Sequence, residues 1–195
     1  METRFQVRSF DSSLSPEDFG RIPRCPVTVV LDNLRSAFNV GSIFRTADCA
    51  LVEKIITCGI TAHPPNKKLE KTALGTLPFV PWEHRDTAAE AITEIKSACV
   101  RVVAMETTNR SRTLWEYRFP FPVCLVLGNE ALGVSGPGLE AADDLVEIPM
   151  FGFKNSINVA AAFAIVLYEI QRQHWDFFQS KARAHEHPAL PSPPR

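Results

Sequence analysis

Five short runs rich in Val, Ile and Leu, at residues 27–31, 54–59, 101–105, 123–127 and 145–149, alternate with stretches of helical periodicity. No other feature constrains the fold as much. Apolar runs of this length, bounded by turn residues, read as strands buried on both faces. Residues 79–80, set between two prolines, read as a short edge strand. The helical patterns fall at about 37–51, 66–74, 87–99, 137–143 and 156–174. Strand and helix in alternation imply an α/β fold with a largely parallel sheet flanked by helices. Ligands of such sheets bind outside the carboxyl ends of the strands. The loops after Leu31, Met105, Leu127 and Pro149 are therefore where a site is expected.

The 195 residues suit one domain with extensions, at roughly 100–200 residues per domain. The reading divides the chain into an N-terminal extension (1–25), the alternating domain (26–175) and a tail (176–195) without packed structure. Four prolines in the last eight residues exclude helix and sheet there. The longest apolar run, 159–168, falls short of the roughly 20 residues of a membrane span. No signal peptide is visible after the charged start. Cys25, Cys49, Cys58, Cys99 and Cys124 form no CxxC and are odd in number. They read as buried small hydrophobes in a reducing, cytoplasmic compartment. The five histidines have no second set of ligands beside them, so no metal is expected. With 21 basic and 22 acidic residues the net charge is −1, so any nucleic acid must be held by a local patch.

Three segments carry chemistry. In L-D-N-L-R-S-A-F-N-V-G-S-I-F-R-T-A-D-C-A (31–50), Val40, Ile43, Phe44, Ala47 and Leu51 share one helical face. Asn39 is the expected N-cap. Arg45 lies about 140° from Val40 and can lean back towards the helix start, where free N–H groups favour an anion. The plain alternative is a capped helix with a solvated arginine. In V-L-G-N-E-A-L-G-V-S-G-P-G (126–138), four glycines after a strand suggest a backbone that approaches a ligand closely. No Walker, dinucleotide or hydrolase-elbow pattern is present. Glu130 at the strand end could accept hydrogen bonds from a ligand or hold Arg45. In I-P-M-F-G-F-K-N-S-I-N-V-A-A-A-F-A-I-V-L-Y-E (148–169), Asn155, Ser156 and Asn158 are all cap-type residues, of which only one can be the N-cap. The alanine-rich helix beyond suits either a core or the centre of a dimer.

Together, N-V-G-S-I-F-R-T-A, L-V-L-G-N-E-A-L-G-V and the 148–169 segment resemble the three motifs of the SpoU (TrmH-like) RNA ribose methyltransferases, of the SPOUT superfamily. The likeness runs from about residue 27 to 173. It implies a parallel α/β sheet with a deep C-terminal trefoil knot, S-adenosylmethionine as methyl donor, no metal, and a homodimer formed through the knot region. The substrate it implies is a ribose 2′-hydroxyl of tRNA or rRNA. Carried over, the resemblance gives Asn39, Arg45, Glu130, Ser156 and Asn158 as the catalytic and substrate-positioning set. Met105, Gly128, Ile148 and Ile157 would bind the donor. In this reading Arg45 forks onto phosphate and developing oxyanion, with Asn39 and Glu130 fixing its plane. Phe153-Lys154 is a less usual filling of the third motif.

Local positive charge is expected from Lys67, Lys68 and Lys71 on one helix and from Arg110 and Arg112 after the 101–105 strand. Arg4, Arg8, Arg21 and Arg24 add to it from the N-terminal extension. The alternative to an enzyme is a non-catalytic RNA-binding module retaining the fold. Loss of some motif residues would mark such a module, and all five are present.

Overall fold

The computed structural model describes residues 15–177 and 179. After helix α1 (Pro16–Gly20) the chain alternates as expected. The strands are β1 (Cys25–Asp32), β2 (Val52–Cys58), β3 (Trp82–Arg85), β4 (Arg101–Met105), β5 (Arg112–Thr113), β6 (Val123–Leu127) and β7 (Asp144–Glu147). The remaining helices are α2 (Ala37–Cys49), α3 (Lys67–Ala73), α4 (Ala88–Ser97), α5 (Gly136–Ala141) and α6 (Val159–Gln173). The strands form one seven-stranded sheet in the order β3-β2-β1-β6-β4-β7-β5. Every pairing is parallel. The sheet is covered on both faces. Helices α2, α3 and α6 pack with Val29, Leu31, Ile55, Val103 and Leu125 on one side. Helix α4 packs with Val30, Ile56, Ala104 and Val126 on the other.

The central runs thus lie where their composition puts them, because a strand buried on both faces cannot carry alternating polar residues. The edges differ from expectation. Residues 79–80 do not form a strand: Phe79 N–H donates to Thr76 O at 2.9 Å in a turn. The ladder begins after Pro81, whose carbonyl accepts from Ile55 N–H at 2.9 Å, and the edge strand is β3. The two-residue β5 on the opposite edge is too short to leave a periodic signal. The last helix starts at Val159, three residues later than its pattern suggested. Of the cysteines expected to be buried, Cys25, Cys58 and Cys124 are, whereas Cys49 and Cys99 are exposed at helix ends. Burial pushes the Cys25 and Cys58 thiols up to about 12, with nearby carboxylates adding to the rise.

Part of the expected N-terminal extension packs on the domain. Phe19 meets Phe79 edge to face, and Arg24 donates to the carbonyls of Val52 and Phe79. The expected tail, apart from 176, 177 and 179, lies outside the described residues, as do Arg4 and Arg8. Among the described residues no helix is long and apolar enough to cross a membrane.

Candidate active site

Because all strands are parallel, the loops after β1, β2, β4, β6 and β7 emerge on one edge of the sheet. From β1 the chain proceeds outward to β2 and β3, while β4 and β7 lie beyond β6 on the other side. A crevice opens at such a switch point, and the first two motifs meet there.

Helix α2 starts at Ala37, where its pattern put it, but its cap differs from the expected one. Ser36 is its N-cap, its Oγ accepting from Asn39 N–H at 3.3 Å. Asn39 is not the cap but a first-turn residue, so its carboxamide is not spent on capping. Asn39 Nδ2 donates to Glu130 Oε1 at 2.8 Å, and Asn39 Oδ1 accepts from Asn158 Nδ2 at 3.0 Å. Glu130 also accepts from the main-chain N–H of Arg35 at 2.8 Å and of Ser36 at 3.1 Å. Burial raises the Glu130 carboxyl, but the Arg35, Asn39 and Ser36 donors outweigh it and hold the group below its usual value. A carboxylate at a helix N-terminus is also favoured by the dipole. The anion at the start of α2 is therefore the chain's own Glu130.

The 128–134 loop is built to present that carboxylate. Asn129 and Gly133 exchange main-chain hydrogen bonds, both 2.9 Å. Asn129 Oδ1 accepts from Ala131 N–H at 2.9 Å and Leu132 N–H at 3.1 Å, and Nδ2 donates to Asn33 O at 2.7 Å. A Cβ on Gly128 would stand 2.1 Å from Val134 N and 2.2 Å from Gly133 C. The glycine richness thus serves a close approach of the chain to itself, where a ligand was expected. Glu106, just past β4, accepts from Val134 N–H at 2.9 Å and braces the loop from the other side. Buried Asp32 accepts from Ser135 N–H at 2.8 Å and Asn33 Nδ2 at 2.8 Å.

In the third motif Asn158 is the N-cap of α6, accepting from Ala160 N–H at 2.9 Å and Ala161 N–H at 3.3 Å. Asn155 and Ser156 stay outside the helix and are exposed. No group from 148 to 157 makes a hydrogen bond to a described residue. This segment lines a cleft of about 320 Å³ with Thr107 and Glu147. Of the four expected donor-binding residues only Ile148 lines it. Met105 ends β4 beside Leu127 and Val146, Gly128 follows β6, and Ile157 is partly exposed. A second, more open hollow of about 380 Å³ is lined by Arg35, Ser36, Asn39 and Glu130.

The fold thus joins Asn39, Glu130 and Asn158 in one hydrogen-bonded chain. Arg45 is not part of it. It is exposed on α2, and its guanidinium makes no hydrogen bond or ion pair with a described residue. Glu130 holds main-chain N–H groups where it was expected to hold Arg45. Sequence reasoning missed Arg35, Ser36, Asp32, Asn129 and Glu106. Ser36 had a signal, a cap-type residue three positions before Asn39. Arg35 acts through its own main-chain N–H, and Asp32, Asn129 and Glu106 through side chains that bond main-chain groups, which no residue pattern displays. Among the described residues no group of three or more His, Cys, Asp or Glu could hold a metal ion.

The chain is thus an α/β domain with a doubly covered parallel sheet and a polar cluster at its switch point. The chain belongs to the SpoU rRNA Methylase family, whose model matches residues 26–168. It is 34% identical over 148 residues to the tRNA (guanosine(18)-2′-O)-methyltransferase of Aquifex aeolicus, covering 74% of this chain and 68% of that one. It is 29% identical over 166 residues to an uncharacterized tRNA/rRNA methyltransferase of Synechocystis, covering 84% of this chain and 60% of that one. It thus spans less than two thirds of that relative's length. The SpoU methyltransferase AviRb from Streptomyces viridochromogenes, in complex with AdoMet, superposes with a TM-score of 0.71 at 28% identity, covering 80% of this chain and 64% of that one.

Proposed function

We propose that this chain is an S-adenosylmethionine-dependent methyltransferase acting on a ribose 2′-hydroxyl of tRNA or rRNA. The observation that carries the reading is the Asn158–Asn39–Glu130 chain, which ties together three segments up to 119 residues apart. The names of the relatives support the substrate class, and the AdoMet complex of AviRb supports the donor.

The 148–157 segment fits a donor of this kind. Its main-chain N–H and C=O groups have no partner within the described chain. Ile148, Pro149, Met150 and Phe153 supply apolar walls, the mixture that small-molecule sites use. Main chain at Ile148 would help hold the donor in this cleft, whereas Met105, Gly128 and Ile157 do not line it. When bound, the donor supplies an activated methyl group.

The remaining work falls to the chain. Ser156 and Asn158 orient the ribose at the start of α6. Glu130 fixes Asn39, and Asn39 fixes Asn158, so the hydroxyl is held by a pre-organised polar array. Arg45 forks onto substrate phosphate and the developing oxyanion. A guanidinium keeps its proton above about pH 12, so the hydroxyl proton passes to water or a phosphate oxygen.

The trefoil knot and a homodimer through that region belong to the same reading. Ala161, Ile165 and Tyr168 form an exposed stripe along α6, and Phe38 is exposed on neighbouring α2. A second copy covering this stripe would lie beside the α2 face that carries Arg45. A cytoplasmic location goes with this role.

Mass-spectrometric mapping of 2′-O-methylated ribose in total RNA, with and without the protein, tests the proposal. One or more methylated nucleotides should disappear without it. An unchanged map, together with no heat of binding for S-adenosylhomocysteine, would leave a non-catalytic module.

A further inference from the structure

On the sheet face that carries α2 and α3, three aromatic rings gather at the β3 edge. His63 lies stacked on Trp82 with centroids 5.7 Å apart and planes at 20°, and meets His84 at 4.5 Å. Trp82 and His84 pair in register with Ile55 and Thr57 of β2, so both project to one face. Thr57 Oγ1 lies 3.0 Å from His84 Nδ1 and anchors that ring. Residue 63 is exposed and Trp82 is 37% exposed, so the rings offer π surface to solvent.

Three residues past His63, Asn66 caps α3, accepting from Lys68 N–H at 3.0 Å and Leu69 N–H at 3.2 Å. Leu69 and Ala73 are buried, which turns Lys67, Lys68 and Lys71 outward. None of the three lysines makes an ion pair with a described residue. Residues 63–72 hold three lysines and one glutamate, Glu70, a local +2 in a chain of net charge −1. Glu83, the carboxylate between Trp82 and His84 in β3, is already engaged by Lys54 at 2.7 Å and Arg85 at 3.1 Å.

This surface is joined rigidly to the candidate active site. Ile60 N–H donates to Asn33 Oδ1 at 3.2 Å, and Leu34 N–H to Thr61 Oγ1 at 2.9 Å. The β2 loop that leads into His63 is therefore bonded to the loop that delivers Arg35 and Ser36 to Glu130. Helix α3 is pressed against α2 where Gly41 leaves no room for a Cβ, 2.1 Å from Thr72 Oγ1. From β1 to β3 is two strand spacings, about 10 Å, along the edge where the loops emerge.

Stacked rings beside unpaired lysines are what a protein uses to hold a single strand. The rings take bases without regard to sequence, and the cations take phosphates. We propose that His63, Trp82 and His84, with Lys67, Lys68 and Lys71, form a docking surface for an unpaired segment of the RNA substrate flanking the modified nucleotide. The proposal rests on the RNA-methyltransferase reading and deepens it.

The test uses the full 195-residue chain, unfractionated tRNA, a labelled 20-mer of oligouridylate and a blunt 20-base-pair RNA duplex. Binding of S-adenosylhomocysteine is followed in parallel by calorimetry. His63→Ala and Trp82→Ala should each weaken oligouridylate binding roughly five-fold to a hundred-fold, the range for losing one stacked base. Trp82→Phe, which keeps a ring in the edge strand, should retain most of the affinity and so separates stacking from folding. Lys67→Ala/Lys68→Ala should flatten the slope of log K against log salt by about 1.4, at about 0.7 per phosphate lost. Oligouridylate should bind better than the duplex, and binding of S-adenosylhomocysteine should be unchanged in every variant.

Wild-type affinity in His63→Ala and the double-lysine variant, with binding of S-adenosylhomocysteine intact, overturns the surface and leaves the enzyme reading standing. Preference for the duplex also overturns it. A wild-type chain that binds neither oligouridylate nor tRNA overturns both. Ring-dependent oligouridylate binding without any binding of S-adenosylhomocysteine sustains the surface and removes the enzyme.

Discussion

Asn158 Nδ2 donates to Asn39 Oδ1 at 3.0 Å across 119 residues of chain. One side chain therefore both caps α6 and reads the position of the first motif. Substituting it separates these two tasks. Asn158→Ala loses the cap and the bridge, and should cost about 1 kcal/mol of stability together with most of the activity. Asn158→Asp keeps a cap acceptor but cannot donate to Asn39. Its thermal midpoint should stay near wild type while kcat falls at least ten-fold. Parallel melting curves and single-turnover assays check this. An Asn158→Asp variant with wild-type kcat beside an impaired Asn158→Ala would show that only the cap matters.

Glu130 makes a pH prediction with a definite sign. Its carboxyl is held low in the folded chain, so the folded state favours the ionised form more than the unfolded state does. The resulting stabilisation is complete above the ordinary carboxylate value of about 4.3 and is lost as pH falls from there through the lowered value. Glu130→Gln should cost about 1 kcal/mol at pH 7, below the roughly 1.5–3 kcal/mol of hydrogen bonds to a charged group because the residue is exposed and screened. Urea denaturation from pH 7 to pH 3 should show the gap between wild type and variant closing in acid.

Gly128 and Gly136 make a matched pair. A Cβ on Gly128 overlaps main chain that cannot swing aside, whereas nothing lies within 4 Å of one on Gly136. Gly128→Ala should lose about 3 kcal/mol or more, the upper range of overpacking. Gly136→Ala should stay within about 0.5 kcal/mol of wild type. Chemical denaturation of both variants measures the difference. A mild Gly128→Ala would mean that the Asn129–Gly133 hairpin opens easily.

In the proposed function Arg45 serves phosphate and oxyanion, and its guanidinium makes no hydrogen bond or ion pair with a described residue. Arg45→Lys should leave stability and binding of S-adenosylhomocysteine unchanged and lower kcat by roughly a hundred-fold, as loss of a charge-stabilising donor does. A lysine variant with near wild-type kcat would show that the planar fork is unnecessary.

The alternation of Val-rich runs with amphipathic stretches was enough to place the five inner strands and the helices between them. Burial on both faces of a sheet leaves a continuous apolar run, which one dimension displays. The edges were not legible: β5 has two residues, and the 79–80 pair turns before the ladder begins. The motif residues could be named from their local pattern and family likeness. Their partners could not. Glu130 was paired in expectation with Arg45, and folding gave it the N–H groups of Arg35 and Ser36 and the carboxamide of Asn39. Hydrogen bonds between loops nearly a hundred residues apart depend on strand order and register, which local periodicity does not encode. The glycines after β6 likewise signalled close approach but not what approaches, since only packing shows whether the neighbour is ligand or main chain.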